Sequence, residues 1–243
     1  MFKKMKLEFR TVVQLSLVAI LGVSLMIGFV TVRTRAAMKD QAMDKTREIA
    51  FHYGQQVIGE VNDALAASRA LAKVFEGAIA NREKIDRKMF LDILVKTVEA
   101  REFYFGAWVQ CEPNKFDGKD AEFVNKDGYF EDGGFLPYAT RGDGKIDIAA
   151  SNGVFDKYKD KLYYRIPMDT KKECIIDPYV DPDAKLFMTS VCVPIFEGGE
   201  PIGVAGIDLV LTKMSDLVST IKPFEDGYAF LVSNVGTFVG HPK

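Results

Sequence analysis

Between Thr11 and Val32 the chain carries no charged side chain. At about 1.5 Å of rise per residue, a helix of that length spans roughly 33 Å, close to a bilayer's hydrocarbon core. Lys3, Lys4, Lys6 and Arg10 precede the run, partly offset by Glu8, and Arg33, Arg35 and Lys39 follow it. The basic excess on the N-terminal side places residues 1–10 in the cytoplasm and the rest of the chain outside it. A cleaved signal peptide is the rival reading. Its apolar core would be shorter and would end at a small-x-small site. Here a charged helical pattern continues directly from the run, so 11–32 is read as an uncleaved transmembrane helix.

Residues 34–80 contain no proline. Ala50, Val57, Ala64, Leu71 and Ala78 recur at heptad spacing, Val61 and Phe75 fall four residues after members of that series, and Ile58, Leu65 and Ile79 widen the stripe. This periodicity predicts one long amphipathic helix. Two partners can cover its stripe: a domain folded against its distal half, and a second copy of the chain near the membrane. A homodimer is the expected assembly; Gly54 and Gly59 interrupt the seam, so a coiled coil is open to the chain but not compelled.

Asp86 is placed to cap a second helix running to about Ala100. FYFGAWVQ (103–110) reads as a strand. Residues 111–153 are dense in Gly and Asp (DGKD, NKDGYF, EDGG, RGDGK), which predicts turns between short strands. These clusters lack the spacing of a calcium loop, and Arg141-Gly142-Asp143 is a bare tripeptide without further support. From Cys174 onward strand follows strand: CIIDPYV, a turn at Asp181-Pro182-Asp183, LFMTSVCVPIF, the turn EGGE, then PIGVAGIDLVL as hairpin partner. Pro194 marks an edge or a bulge. Leu211–Ile221 reads as a connecting helix, and YAFLVS with Thr237–Val239 begins another hairpin.

Several function classes are excluded early. A net charge of −2 leaves no footprint for nucleic acid. Two histidines, His52 and His241, and three widely spaced cysteines, Cys111, Cys174 and Cys192, are poor material for a metal site or a disulfide framework. Isolated thiols are favoured over one bridge. There is no nucleophile elbow, HExxH or phosphate loop, and GVAGID lacks the helix start that a dinucleotide fingerprint needs.

What remains is a polar and aromatic set spread across the strands: Lys161, Tyr163 and Tyr164 in KLYYR, Tyr179 and Asp181 in DPYVDP, and Asp208 at the end of GVAGID. With the long helix, MTSVCVPIF-x-GG-x-x-IGVAGIDL and DGYAFLVSNVGTFVGHP, these segments resemble the double Cache sensor domain of methyl-accepting chemotaxis receptors. The resemblance covers most of the chain after the anchor. It implies an α+β fold of two PAS-like modules, each an antiparallel sheet flanked by helices, hung on the long helix. The membrane-distal module would occupy 81–210, a connecting helix 211–221, and the start of a membrane-proximal module 222–243, incomplete where the sequence stops.

The resemblance also implies a site. In relatives that bind amino acids, a basic residue two positions before a Trp-Tyr pair clamps the ligand carboxylate. Lys161 matches the basic position, Tyr163 stands where tryptophan is usual, and Tyr164 matches the tyrosine. Tyr179 matches the PY tyrosine, and Asp181 and Asp208 match the aspartates that hold the ammonium group. Asp156 stands where a tyrosine is often found, with Tyr158 nearby, which leaves both an amino acid and a simple amine open as ligand.

Independently of family, a zwitterion needs a fixed cation, fixed anions a few ångströms away and apolar walls; charge-assisted hydrogen bonds there are strong, and aromatic faces add attraction toward an ammonium. Each residue also has a structural reading: a solvated turn lysine for Lys161, sheet-core aromatics for Tyr163 and Tyr164, turn capping for Asp181, and capping of the following helix for Asp208. The expected function is small-molecule sensing outside the cytoplasm by an inner-membrane chemoreceptor, with no catalysis, cofactor or metal. A histidine kinase or a diguanylate cyclase carrying the same sensor, and a purely structural helix-mediated dimer, are the alternatives.

Overall fold

A computed structural model of the protein describes residues 7–126, 129–142, 144–149, 154–181 and 184–242. Residues 1–6 of the expected cytoplasmic tail, Asp127-Gly128, Asp143 of the tripeptide, 150–153 and Pro182-Asp183 of the expected turn lie outside them. The chain divides into two compact units, 1–52 and 53–243.

The first unit is helical. Helix α1 (Leu7–Ile79) begins there, and its uncharged stretch exposes apolar side chains on every side, among them Leu15, Val18, Leu25 and Phe29. Apolar surface on that scale suits lipid and not water. Thr31 Oγ1 donates to the Ile27 carbonyl at 2.7 Å, so even the hydroxyl is satisfied within the helix. Among the described residues, this is the helix long and apolar enough to cross a membrane.

In the second unit the buried face of α1 is Ala64, Ser68, Leu71, Ala72, Phe75 and Ile79. Ala64 to Phe75 and Ser68 to Ile79 are steps of eleven, so the face drifts from the heptad series predicted, and Ala50 is exposed. A helix packed on a sheet, with no need to keep a heptad seam, keeps its own 3.6-residue period. Ser68 Oγ donates to the Val191 carbonyl at 3.2 Å, fixing α1 against the sheet. Helix α2 (Arg87–Glu99) follows, with Asp86 capping it by accepting from Lys88 N–H as expected.

The sheet comprises β1 (Tyr104–Cys111), β2 (Tyr138–Gly142), β3 (Lys145–Ile148), then, after short helices α3 (Phe155–Tyr158) and α4 (Leu162–Thr170), β4 (Cys174–Ile175), β5 (Tyr179–Val180), β6 (Phe187–Glu197) and β7 (Glu200–Val210). The order is β3-β2-β1-β7-β6-β4, every pairing is antiparallel, and β5 also pairs with β6. Gly198 and Gly199 take positive φ and close the β6–β7 turn read from EGGE. Pro194 lies just before a register shift at Ile195/Phe196, beyond the last β4 pairing.

Side-chain alternation sorts the two faces. Ala107, Val109 and Cys111 of β1, Val191, Val193 and Ile195 of β6, and Ala205, Ile207 and Leu209 of β7 pack against α1 and α2. The even-numbered residues of the same strands face the other way, where Trp108, Cys192 and Val204 meet Tyr164 of α4 and Ile176.

The long β1–β2 connection is held by a buried ion cluster. Arg87 donates in bidentate fashion to Asp117 at 2.7 and 2.7 Å, to Asp120 at 2.6 Å and to the Gly133 carbonyl at 2.9 Å. The Phe123 ring lies 4.0 Å from its guanidinium. Thus two carboxylates of the Asp-Gly stretch serve a structural ion cluster. After β7 come α5 (Leu211–Ser219) and a hairpin of β8 (Leu231–Val232) and β9 (Phe238–Gly240), whose Gly240 lies against Ser215.

Three expectations change. KLYYR does not lie in strands: Lys161 precedes α4 and both tyrosines sit within it. The turn of helix swings Tyr164 to the sheet and sets Tyr163 beside Trp108. CIIDPYV is broken, because Pro178 has no N–H to continue the ladder. Ile176 N–H donates to Ser190 O while Tyr179 pairs with Met188, so one extra residue is accommodated between them. That bulge puts Ile176 and Tyr179 on the same face, where an unbroken strand would oppose them. Asp208 does not cap α5: β7 runs on to Val210, and the cap position has no side-chain bond.

Candidate functional site

A cavity of about 540 Å³ lies over the even-numbered face of the sheet. Its floor is organised around Asp208, 4% exposed and paired in register with Gly106 of β1 and Ser190 of β6. Asp208 Oδ1 accepts from Trp108 Nε1 at 3.0 Å and from Ser190 Oγ at 2.6 Å, and the Tyr138 hydroxyl donates to the same carboxylate. Since Ser190 gives its proton to Asp208, it accepts from the Tyr179 hydroxyl, 2.8 Å away. The carboxylate is therefore held by neutral donors. Burial pushes it up to about 6, with the three hydrogen bonds offsetting only part of that effect.

Two glycines make this floor possible. A Cβ on Gly106 would sit 2.3 Å from the Tyr138 ring, and one on Gly206 would sit 2.2 Å from the Trp108 indole. Both rings lie flat on the sheet, and their polar ends converge on Asp208. Glycine in mid-strand marks this close approach.

The walls are aromatic. Tyr163 meets Trp108 edge-on at 5.2 Å and Tyr179 at 6.4 Å. Burial raises the Tyr138 and Tyr179 hydroxyls far above the usual phenol range, so both stay protonated donors. Among the described residues, the charged side chains on the wall are Asp208, Asp181 and Lys157. Asp181 also holds its own turn, Oδ1 accepting from Ala184 N–H at 2.7 Å, so the capping role and a place on the wall coexist. Gln110, 4% exposed, also lines the cavity, its Nε2 enclosed and without a hydrogen-bond partner among the described residues.

Of the six residues singled out from sequence, Tyr163, Tyr179, Asp181 and Asp208 are brought together on this wall; Lys161 and Tyr164 are not. Lys161 takes the position before α4, its carbonyl accepting from Tyr164 and Arg165 N–H. Tyr164 is buried against Phe155, ring centroids 5.6 Å apart, behind the wall. The cation on the wall is Lys157 of α3, 4.9 Å from the Tyr158 ring. Sequence reasoning missed Lys157, Trp108, Tyr138 and Gln110. The signals were the lone tryptophan and the two mid-strand glycines.

A fold of this kind, with a cavity on one sheet face and long helices on the other, defines a sensor module. Residues 90–216 match the methyl-accepting chemotaxis protein-like first PDC sensor domain, more than half of the chain. The chain belongs to that family, and the Cache-type resemblance read from sequence holds. The methyl-accepting chemotaxis protein TlpQ of Pseudomonas aeruginosa is 30% identical over 211 residues, 80% of this chain and 28% of that receptor. PctB of the same organism is 30% identical over 80 residues, 33% of this chain and 13% of that receptor. The chain thus spans less than a third of the curated relatives named here. Among solved structures, the extracellular domain of mmHK1S-Z3, named for a histidine kinase, is 32% identical with a TM-score of 0.73, covering 83% of this chain and 70% of that one. The Campylobacter jejuni Tlp3 ligand-binding domain in complex with 4-methylisoleucine, 14% identical with a TM-score of 0.59, covers 83% of this chain and 69% of that one; at that identity it shows the shared fold alone.

Proposed function

We propose that this domain binds a small molecule bearing an ammonium group, an amino acid or an amine, over Asp208, and that the chain is the sensory portion of an inner-membrane chemoreceptor with its cavity outside the cytoplasm. The observation that carries this reading is a buried carboxylate held, among the described residues, by neutral donors, on the floor of an aromatic-walled cavity. Such a carboxylate gains most from a ligand that brings its own positive charge. Tyr163, Tyr179 and Trp108 supply ring faces toward it. Asp181 adds a second anion, and an amino acid's carboxylate would meet Lys157 rather than Lys161. Binding, not turnover, is the work of such a site.

In this arrangement 1–10 is cytoplasmic, 11–32 spans the membrane, 34–80 forms the long helix, 81–210 is the distal module, and 222–243, after the 211–221 connection, opens a second. Ligand binding would bias a two-state assembly. A homodimer is the expected assembly, with Val74 of α1 and Met89 of α2 among its exposed apolar side chains. The likeness to a histidine kinase's extracellular domain favours a second reading of the output, with the same sensor feeding a kinase.

The test is a thermal-shift screen of the full chain in detergent against amino acids and amines, followed by calorimetry. Binding to the native state raises the melting temperature by mass action. Saturable binding lost in Asp208→Asn and weakened in Asp181→Asn supports the reading. A hit whose affinity ignores both substitutions rejects the site, and a screen in which no amine or amino acid shifts the melt rejects the ligand class.

A further inference from the structure

Two of the three cysteines that read as isolated in sequence stand opposite one another in the sheet: Cys174 of β4 pairs in register with Cys192 of β6. Two residues further on, Ile176 N–H donates to the Ser190 carbonyl at 2.9 Å. Hydrogen-bonded and non-hydrogen-bonded pairs alternate along an antiparallel ladder, so Cys174 and Cys192 form a pair of the hydrogen-bonded kind, with Cα atoms about 5.5 Å apart. Disulfides accommodate Cα separations of about 4.4–6.8 Å. Opposed residues share a face, and both side chains pack into the cluster of Trp108, Tyr164 and Ile176. Their sulfurs meet there. A hydrogen bond from the Cys192 thiol lowers Cys174, while burial and the same contact hold Cys192 well above the usual thiol range. Cys111 is no rival partner, because it points to the other face, toward α1 and α2. Exposure then sets an order: Cys174 is partly open and Cys192 is buried. The open, more readily ionised thiol is the one that meets a reagent first.

We propose that Cys174 and Cys192 are an oxidisable dithiol, which a disulfide-bearing oxidant converts to a cross-strand disulfide that staples β4 to β6. The ring so closed contains β5, and with it Tyr179 and Asp181 of the cavity wall. The Cys174 thiolate attacks one sulfur of the oxidant, forming a mixed disulfide and expelling a thiolate. Cys192 then gives up its proton and attacks Cys174 Sγ, forming the internal bond and expelling the oxidant's other half. Two protein thiols and one oxidant disulfide become one protein disulfide and two small thiols, which carry away both protons and both electrons. The mixed disulfide also removes the charge on Cys174, one of the causes that hold the Cys192 proton in place. The location outside the cytoplasm proposed above is where oxidants of this class are found.

The experiment takes the full chain in detergent, reduced with dithiothreitol, desalted and then exposed to oxidised glutathione. A maleimide in denaturant next caps every remaining thiol, and mass spectrometry counts the caps and maps the peptides. Of the three cysteines, only Cys111 is expected to be capped after oxidation, against all three before it, with a peptide linking Cys174 to Cys192 in a chain that stays monomeric on a non-reducing gel. The melting temperature should rise by about 5–10 °C, as for closing a ring of this size, and fall back with dithiothreitol. Cys192→Ala should arrest the reaction at a glutathione adduct on Cys174, and Cys174→Ser should leave Cys192 unmodified. Capping of all three cysteines after oxidation, a bond to Cys111 or to a second chain, a glutathione adduct that persists on Cys174 of the parent, or a bond that leaves the melting temperature unmoved overturns the inference. None of these readouts involves an amine, so the ammonium reading stands or falls separately.

Discussion

Replacing Asp208 by asparagine is expected to stabilise the empty protein while removing amine binding. The side chain keeps its shape, and its Oδ1 still accepts from Trp108 and Ser190. What changes is the charge. Asp208 titrates at about 6 in the folded protein against an ordinary 3.8, because burial disfavours its ionised form. That gap corresponds to roughly 3 kcal/mol. The folded protein holds this proton more tightly than the unfolded chain does, so this group's contribution is fully present below pH 3.8 and is lost as pH rises through 6. At pH 7.5 the variant is therefore expected to exceed the parent by up to about 3 kcal/mol, or roughly 6–12 °C in melting temperature for a unit of this size. At pH 4 the difference shrinks to roughly half a kcal/mol. Emission from the single tryptophan, Trp108, followed through thermal unfolding in detergent at both pH values, measures it. Ammonium binding selects the ionised carboxylate, so amine affinity in the parent should rise about tenfold per pH unit up to 6 and level off above. A variant no more stable than the parent at pH 7.5, or a stability gap that does not change with pH, refutes the reasoning.

Arg87→Met leaves Asp117 and Asp120 buried without their cation and is expected to cost about 3–5 kcal/mol in urea unfolding; a loss under 1 kcal/mol would show that the cluster does not hold the β1–β2 connection. Gly206→Ala drives a methyl group into the Trp108 indole, so tryptophan emission should shift and amine affinity fall as that ring is displaced from the cavity wall; unchanged emission contradicts the flat placement of the ring. In protein kept reduced, Cys174 should react with a thiol reagent well before the buried Cys111 and Cys192, which titrate only on unfolding; equal rates for all three would contradict their burial.

Much of this architecture was legible because local chemistry and global fold agree. A charge-free run marks the exposed apolar stretch of α1, Asp86 caps α2 as its type suggests, and the glycine turn between β6 and β7 sets their pairing. The site was only half legible, for physical reasons. Tyr179 reaches the cavity through a one-residue bulge at Pro178, and no alternation rule run straight through CIIDPYV puts it there. Lys161 was chosen for its spacing to a tyrosine pair, but that spacing falls on a helix start, where its backbone is what matters. Trp108 lies in the run read simply as a strand, and Tyr138 in the stretch read as turns between short strands. Gly106 and Gly206 carried the clue, since a strand keeps a glycine in its middle where a ring must lie on it.

The most direct test is a crystal structure of residues 53–243, or of the full chain, with the tightest amine found by screening. An ammonium nitrogen within hydrogen-bond distance of Asp208 and flanked by the Tyr163 and Tyr179 rings is the expected result. A ligand bound elsewhere on the domain, or in the cavity with its amine turned away from Asp208, would contradict it.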